Sequence, residues 1–267
     1  MQLYWDFYFT LNMETYILIL LCLAAFAAGF VDAIVGGGGL IQTPVVMVLF
    51  PTYAVSSIIG TLKIPGFSGT SIATIQYLKK VKVNWKLIAI MSPIALTSAY
   101  LGSTLLTKVS NDFMKPLLLI ILVLLAIYTF KKKNFGQHVE KFHSTKKQII
   151  YALLISLLLG FYDGFIGPGA GSLLIVAFVG VLGFDFLQAS TNAKLINLVT
   201  NIGSIILFAS KGKIIWAIAI PMAICNAIGG WLGAKLAISK GNGFIRTFFL
   251  IIVIVILARF GYDVFFN

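Results

Sequence analysis

Long apolar stretches, each about as long as a membrane-crossing helix, alternate with short polar segments along this chain. A helix that spans the hydrocarbon core needs about 20 apolar residues. Stretches of that kind run approximately over 14–34, 57–78, 86–107, 113–130, 149–166, 187–209, 215–238 and 244–262. Two shorter apolar pieces, 40–50 and 171–183, follow the first long stretch of each group of four. The pattern predicts an all-α polytopic membrane protein.

The pattern repeats because the sequence itself repeats. When the second half of the chain is aligned with the first without a gap, Asp163 falls on Asp32 and Lys194 on Lys63. The same register places Gly160, Gly167, Gly169, Trp216 and Gly233 on Gly29, Gly36, Gly38, Trp85 and Gly102. Agreement at charged residues, tryptophans and glycines in one register indicates duplication. We predict two homologous halves, each with four full transmembrane helices and one short, broken helix.

The duplication also divides the chain into segments. Residues 14–130 are predicted to form the first membrane repeat and residues 149–262 the second. Between them, residues 131–148 are predicted to be a basic cytoplasmic linker, and residues 1–13 are an N-terminal tail. Nearly all of the chain is then used in crossing the bilayer.

Composition and charge agree with a membrane location. The chain is 60% hydrophobic and only 10% charged, whereas soluble domains carry about 25% charged residues. Its net charge of +12 does not come from one patch, because loops 79–86 and 131–147 hold ten of the twenty Lys and Arg in short clusters. Such clusters are typical of cytoplasmic loops under the positive-inside rule. We therefore expect the lipid bilayer, and not nucleic acid, as a partner.

The short apolar pieces leave two topologies open. If each piece crosses the membrane, each half has five passes and the halves are inverted relative to each other. If each piece turns back, each half has four passes and the halves are parallel. The positions of the basic residues fit both arrangements about equally. We favour an inverted repeat, because inverted halves provide a route to alternating access.

Each half contains a glycine-rich break between its first long stretch and its short piece. Glycine costs about 1 kcal/mol and proline about 3 kcal/mol relative to alanine inside a helix, so these segments end the helix. Unwound backbone at membrane depth survives only where it is buried or lines water, and the N-terminus of the following helix favours anions. The alternative is a surface connection with glycines for close packing. Two equivalent breaks favour a substrate site formed by Gly36, Gly37, Gly38, Gly39, Gly167, Gly169 and Gly171.

A lysine lies several residues inside an apolar stretch in each half. A charge at the centre of a spanning helix costs about 2.5–3.5 kcal/mol on insertion scales, so Lys63 and Lys194 need a compensating group. An anionic substrate would supply it. The alternative is that both side chains extend to the lipid headgroups. Nearby Thr61, Asn192 and Asn197 favour a binding role, and we include all five residues in the predicted substrate site.

An aspartate precedes each glycine-rich break. Asp32 and Asp163 could pair with the lysines, could take up protons as coupling groups, or could be solvated residues at the rim of the membrane. The residues leave these three roles open.

Catalytic and metal-binding patterns are absent from the sequence. No HExxH, GxSxG, Walker or CxxC motif occurs, and His138 and His143 both lie in the polar linker. Cys22 and Cys225 are not equivalent positions of the repeat, and we interpret them as apolar core residues. We expect no catalytic residues, no metal and no cofactor, and hence no enzyme.

With these motifs the chain resembles the TauE/SafE family, the sulfite exporter or sulfonate-uptake permease family. The resemblance covers essentially the whole chain. It is carried by the Asp-containing first helix and glycine-rich break of each half, and by the segments Gly60-Thr-Leu-Lys63 and Thr191-Asn-Ala-Lys194. It implies a multi-pass transporter of the bacterial inner membrane that moves small sulfur-containing anions, such as sulfite or organosulfonates.

These observations favour a secondary transporter or facilitator of small anions. Helix N-termini and two intramembrane lysines suit an oxyanion better than a cation. The alternatives are a cation-coupled permease for another small organic solute and a membrane assembly subunit that does not transport. Substrate, direction, coupling ion and oligomeric state stay open at this point.

Overall fold

The first long helix of the chain ends at a glycine-rich break, as predicted, and a short helix follows it. The computed structural model describes residues 15–114, 116, 117, 120 and 145–266. The predicted N-terminal tail, residues 1–13, lies outside the described residues. So do residues 131–144 of the predicted linker and most of the predicted span 113–130.

The described residues are almost entirely helical, and none of them lies in a strand. In the first half the helices are α1 (Thr15–Val35), α2 (Gly38–Leu49), α3 (Val55–Leu78) and α4 (Trp85–Leu106), and residues 111–114 are also helical. In the second half they are α5 (Thr145–Phe165), α6 (Ala170–Gly180), α7 (Phe186–Ser210) and α8 (Trp216–Phe266). Helix α8 is interrupted at Gly241, whose φ is +71°. This break falls between the predicted spans 215–238 and 244–262.

Five helices in the described part of the chain are long and apolar enough to cross a membrane. They cover Thr15–Val35, Trp85–Leu106, Lys146–Phe165, Phe186–Ser210 and Trp216–Gly241. Large apolar side chains, such as those of Leu23, Leu101 and Leu158, are exposed on these helices. Exposed apolar surface of this extent is expected where a protein faces lipid. The protein is a multi-pass membrane protein.

Helix α3 departs from the sequence prediction. It has 24 residues and contains the predicted span 57–78, but it is not among the five helices that are apolar enough to cross a membrane by composition. Its many Ser, Thr and Gly residues lower its hydropathy. Helix α3 packs against both α7 and α8, and most of its residues are buried. Because it faces protein more than lipid, it does not need a continuous apolar surface.

The helices keep the repeat register of the sequence. Helices α3 and α7 begin at Val55 and Phe186, which are equivalent positions of the two halves. Helices α4 and α8 likewise begin at an equivalent pair, Trp85 and Trp216. The duplicated sequence therefore forms the same elements in the same order.

The first helix of each half packs against the fourth helix of the other half. Helix α1 contacts α8, and the equivalent helix α5 contacts α4. A Cβ atom added to Gly233 of α8 would lie 2.3 Å from the carbonyl oxygen of Phe30, and one added to Gly102 of α4 would lie 2.3 Å from that of Phe161. Glycine at both positions lets the helix backbones touch. This exchange of partners interlocks the two halves.

Candidate functional site

The two glycine-rich breaks cross in direct contact inside the protein. The N–H of Ser172 donates to the carbonyl of Gly36 at 2.8 Å, and the Ser172 hydroxyl donates to the carbonyl of Val35 at 2.9 Å. A Cβ atom on Gly36 would lie 2.4 Å from the carbonyl carbon of Gly171, and one on Gly171 would lie 2.5 Å from the oxygen of Gly36. The breaks are thus interior structures and not surface connections.

Glycine is required at the break positions for conformational reasons as well. Gly36 has a φ of +77° and its equivalent Gly167 a φ of +89°, a region that side chains other than glycine rarely adopt. Gly36 follows the last residue of α1, and its N–H donates to the carbonyl of Asp32 at 2.9 Å. This is the usual glycine termination of a helix. In the second half, the Tyr162 hydroxyl donates to the carbonyl of Pro168 at 2.7 Å and fixes the break.

The short helices begin without a side-chain cap from their N-cap residues, Gly37 and Gly169. At the start of α2, the N–H of Gly38 instead donates to a carboxylate oxygen of Asp32 at 3.2 Å. Because a helix N-terminus attracts negative charge, this carboxylate occupies part of the anion position that the sequence predicted.

Lys63 points inward and forms an ion pair between the two halves. It is 5% exposed, and its Nζ donates to Oδ1 of Asp163 at 2.8 Å and to the carbonyl oxygen of the same residue at 2.6 Å. Asp163 is 2% exposed and also accepts from Asn197 at 3.1 Å and from the Thr200 hydroxyl. The extension of Lys63 to the headgroups is excluded. Of the three roles open to Asp163, the structure shows pairing with a lysine.

Lys194 of the second half contacts the first half at the position equivalent to that of Lys63. It is 3% exposed, and its Nζ donates to the carbonyl oxygen of Asp32 at 3.1 Å. The same ammonium lies 5.0 Å from the centre of the Tyr77 ring, a cation–π distance. Among the described residues, Lys63–Asp163 is the one ion pair within 4.0 Å, so Lys194 has no carboxylate at that distance. Both lysines therefore lie in the interior beside the breaks, and neither extends to the headgroups.

A cavity lies beside the crossing. The cavity volume that the centres of water molecules can occupy is about 60 Å³. This volume holds several waters or one small solute. Its lining includes ten of the residues predicted for binding or coupling: Asp32, Gly36, Gly38, Gly39, Lys63, Asp163, Gly167, Gly169, Gly171 and Asn197. A smaller cavity of about 10 Å³ is lined by Lys194 together with Asp32, Gly36, Gly171 and Asn197. The two cavities therefore share one wall.

Three predicted site residues lie outside the lining of both cavities: Gly37, Thr61 and Asn192. Gly37 is the buried N-cap of α2. The Thr61 hydroxyl donates to the carbonyl of Ser57 at 2.6 Å and accepts from the N–H of Ile215 at 2.9 Å, just before α8. The Asn192 amide donates to the carbonyl of Gln188 at 2.7 Å. The structure thus places Thr61 and Asn192 in contacts between and within helices.

The main cavity is also lined by polar residues that were not among the predicted site residues. The Asn226 amide donates to the side-chain oxygen of Gln42 at 3.3 Å, which joins α8 to α2. The full set of these buried polar residues is Gln42, Thr43, Thr70, Asn201 and Asn226. Amides inside apolar stretches gave a weak signal for Gln42, Asn201 and Asn226, whereas Thr43 and Thr70 gave none, because hydroxyl residues are common where membrane helices pack.

Formal charges at the site balance. Two lysines and two aspartates surround the cavities, so a charged solute enters a region that has both signs of charge and many neutral donors. Among the described residues, no group of three His, Cys, Asp or Glu side chains could hold a metal ion. This arrangement suits reversible binding of a small polar or charged solute.

Known proteins resemble this chain over most of its length. The family model described as "Sulfite exporter TauE/SafE" matches residues 21–260. A protein of Sinorhizobium sp. named "Probable membrane transporter protein ORF9" is 34% identical over 93% of this chain and 94% of its own. A "Probable membrane transporter protein" of Haemophilus influenzae is 33% identical, over 92% and 94% of the two chains, and the "Probable membrane transporter protein YfcA" of Escherichia coli K12 is 32% identical, over 90% and 87%. No solved structure matches.

Proposed function

The chain belongs to the sulfite exporter TauE/SafE family, and we propose that it is a secondary transporter or facilitator of small anions. The anions we propose are sulfur-containing oxyanions such as sulfite and organosulfonates, and the membrane is the bacterial inner membrane. The relatives are named as membrane transporters without a substrate. The choice of substrate therefore has to come from the site.

The observation that carries the proposal is the pair of buried lysines at the crossed breaks. Lys63 and Lys194 are 5% and 3% exposed, and each donates to backbone beside a break of the other half. Burying an ammonium is costly unless the charge has a use or a partner. Among the described residues, Lys194 has a carbonyl and an aromatic ring as close partners and no carboxylate within 4.0 Å, so its charge favours an incoming anion. Lys194 lines the smaller cavity, which shares a wall with the main one, and the size of the main cavity limits the anion to a small one.

We further propose that the halves form an inverted repeat, each with four full spans and one short helix. Helix α1 packs against α8 of the other half, and the equivalent helix α5 packs against α4. This reciprocal packing supports a two-fold relation between the halves. Breaks in matched segments that meet at one site are typical of transporters in which one half rocks against the other. The site would then open alternately to each side of the membrane.

A second candidate function is a cation-coupled permease for another small organic solute. The balance of two lysines by two aspartates favours it, as do the amides of Gln42, Asn201 and Asn226 in the cavity wall. Such a wall offers neutral donors and acceptors to a polar solute. The glycines of the breaks also serve packing, because Gly36 and Gly171 touch, but the polar cavity beside them favours a solute site over an assembly subunit.

Flux in proteoliposomes tests the proposal. Purified protein is reconstituted, and the entry of labelled sulfite, sulfate and methanesulfonate is compared with that of labelled alanine and glycerol. We expect the protein to accelerate at least one sulfur oxyanion and neither neutral solute. Gly36→Val, which cannot adopt the required φ and would collide with Gly171, serves as the inactive control if it incorporates normally. Selective entry of the organic solutes would favour the second candidate, and no flux of any solute would contradict transport.

A further inference from the structure

The two equivalent aspartates have different surroundings, and Asp163 is the one that is held firmly. Its carboxylate accepts from Lys63, from the Asn197 amide and from the Thr200 hydroxyl. All three donors are buried or half-buried, and Asp163 itself is buried. An ammonium and two further donors thus satisfy the Asp163 carboxylate.

Asp32 is held less firmly and lies against both cavities. Its carboxylate accepts from the N–H of Gly38 at 3.2 Å and from the Thr70 hydroxyl at 3.1 Å. Lys194 contacts the backbone oxygen of Asp32 and not its carboxylate. Asp32 is half-buried and lines the main and the smaller cavity. Water or a solute in either cavity therefore reaches this carboxylate.

The difference between the two aspartates is already present in the sequence. Asn197 and Thr200, which hold Asp163, have Gly66 and Gly69 as their equivalents in the first half. Glycine supplies no side-chain donor. A Cβ atom on Gly66 would meet nothing within 4 Å, and Gly66 lines the main cavity. Open space thus lies beside Asp32 where an amide lies beside Asp163.

Among the residues whose side chains the structure describes, few other titratable groups face Asp32. Helix α7 contributes Lys194, and helix α3 contributes Tyr77, whose hydroxyl donates to the carbonyl of Ala33. Lys63 of α3 and its partner Asp163 of α5 lie across the main cavity. Helices α2 and α6 contain no charged residues. On α8, Lys235 is exposed and lies over the Trp231 ring at 5.4 Å. Asp32 is thus the loosely held carboxylate of the site, and Lys194 is the cation beside it.

We propose that Asp32 is the proton-coupling residue of this transporter and that Asp163 is a fixed partner of Lys63. The inference rests on the transport function proposed above. One proton from the water on the entry side binds a carboxylate oxygen of Asp32 as the anion arrives beside Lys194. The O–H bond of a hydronium ion breaks on the entry side as the Asp32 O–H bond forms, and on the opposite side the Asp32 O–H bond breaks, the proton returns to water and the anion leaves.

Coulomb repulsion supplies the coupling. An anion beside Lys194 lies close to the Asp32 carboxylate, and two like charges at short range in a poorly polar interior repel each other strongly. Protonation of Asp32 removes that repulsion, so the proton and the anion favour each other's binding. Moving one proton together with a monovalent anion transfers no net charge. The membrane potential, which opposes anion entry by about 2.3 kcal/mol per charge per 100 mV, then no longer acts on the cycle.

The ratio of protons to anions tests the division of roles. Proteoliposomes containing a pH-sensitive dye receive labelled methanesulfonate or sulfate, which bind no proton of their own at neutral pH, and both fluxes are recorded. We expect about one proton per anion in the wild type, which balances the whole charge of methanesulfonate and half the charge of sulfate. In Asp32→Asn we expect any remaining anion flux to proceed without proton flux. In Asp163→Asn we expect the remaining flux to keep the wild-type ratio.

Two controls keep the outcome decisive. Asp185→Asn changes an aspartate that caps α7 away from the cavities, and asparagine caps a helix equally well, so flux and ratio are expected to match the wild type. If Asp163→Asn does not fold, Gly66→Asn and Gly66→Ala decide instead. Gly66→Asn gives Asp32 the amide that Asp163 has, and we expect it to lose more proton flux per anion than Gly66→Ala, which adds only the Cβ atom.

Failure of the inference and failure of the transport proposal give different results. A wild-type protein that moves none of the tested anions contradicts transport itself. Anion flux without protons in the wild type overturns only the coupling role of Asp32. Three further results would also overturn it. They are a wild-type ratio of protons to anions in Asp32→Asn, an equal loss of proton flux in both aspartate variants, and equal ratios in the two Gly66 variants. An equal loss would mean that both aspartates take part in proton coupling.

Discussion

At the scale of single residues, Lys194 is the site lysine that has no carboxylate within 4.0 Å among the described residues. If the anion binds there, Lys194→Ala removes one charge-assisted contact, worth about 1.5–3 kcal/mol. Apparent affinity for the transported anion should fall about 10- to 100-fold. Lys194→Arg should restore only part of it, because a planar guanidinium is larger and directs its hydrogen bonds differently. Concentration-dependent flux in proteoliposomes measures the change.

Lys211→Ala is the matched control for that experiment, since Lys211 is exposed at the end of α7. Its affinity should equal that of the wild type. Unchanged affinity in Lys194→Ala, with incorporation verified, would remove Lys194 from the site and leave the glycine breaks to bind the anion without it.

Lys63 and Asp163 should behave as a coupled pair in stability measurements. Removing one partner leaves a buried charge uncompensated, which costs about 3–5 kcal/mol, whereas removing both costs much less. We expect Lys63→Met to lower the unfolding temperature of the detergent-solubilised protein strongly, and Lys63→Met combined with Asp163→Asn to recover most of the loss. Additive losses in the double variant would show that the 2.8 Å contact contributes little to stability.

At the scale of helices, close packing between the halves depends on glycines at equivalent places. Gly102→Val and Gly233→Val should each destabilise the protein by at least about 1–3 kcal/mol, because an added side chain collides with the backbone of α5 or α1. Gly180→Ala, where an added Cβ meets nothing within 4 Å, should be tolerated. Thermal unfolding in detergent measures all three. Tolerance of valine at position 233 would argue against the contact between α1 and α8.

The helices also show how far sequence reasoning reaches. The repeat register predicted that α3 and α7, and likewise α4 and α8, begin at equivalent positions, because the repeated sequence specifies local structure twice. It did not predict that α3 falls short of the hydropathy of a spanning helix. That property comes from the Ser, Thr and Gly residues of α3 and is readable from its composition. The sequence did not reveal that α3 packs against α7 and α8, and this burial explains why the helix needs no continuous apolar surface.

The same limit applies to the site. Intramembrane charge and glycine breaks identified Lys63, Lys194, Asp32 and Asp163, because such residues are costly in a membrane wherever they lie. Which partners meet was not predictable, since Lys63 contacts a residue 100 positions away in the other half. The crossing of Gly36 over Gly171 likewise depends on how the halves dock, and local sequence patterns carry no information about docking.

At the scale of the whole molecule, the relative orientation of the halves is open to a direct test. Lys80 and Lys211 are equivalent residues that follow α3 and α7. In an inverted repeat they face opposite sides of the membrane, and in a parallel repeat they face the same side. With Cys22 and Cys225 replaced by serine, single cysteines at positions 80 and 211 are labelled in intact cells by a membrane-impermeant maleimide. We expect labelling of position 211 only, and labelling of both or neither would contradict inversion.

Every role proposed for these residues requires that a small anion occupies the cavity beside the crossed breaks, and protection of a cysteine in that cavity tests this occupancy. Gly66→Cys, in a chain without Cys22 and Cys225, places a thiol in the cavity wall where the new side chain meets nothing within 4 Å. Its labelling by a small thiol reagent should slow as the transported anion is added, with a half-maximal effect near the concentration that half-saturates flux. A cysteine at exposed Lys82 should show no such effect. Labelling of Gly66→Cys that is indifferent to an anion the protein transports would show that the anion does not occupy this cavity.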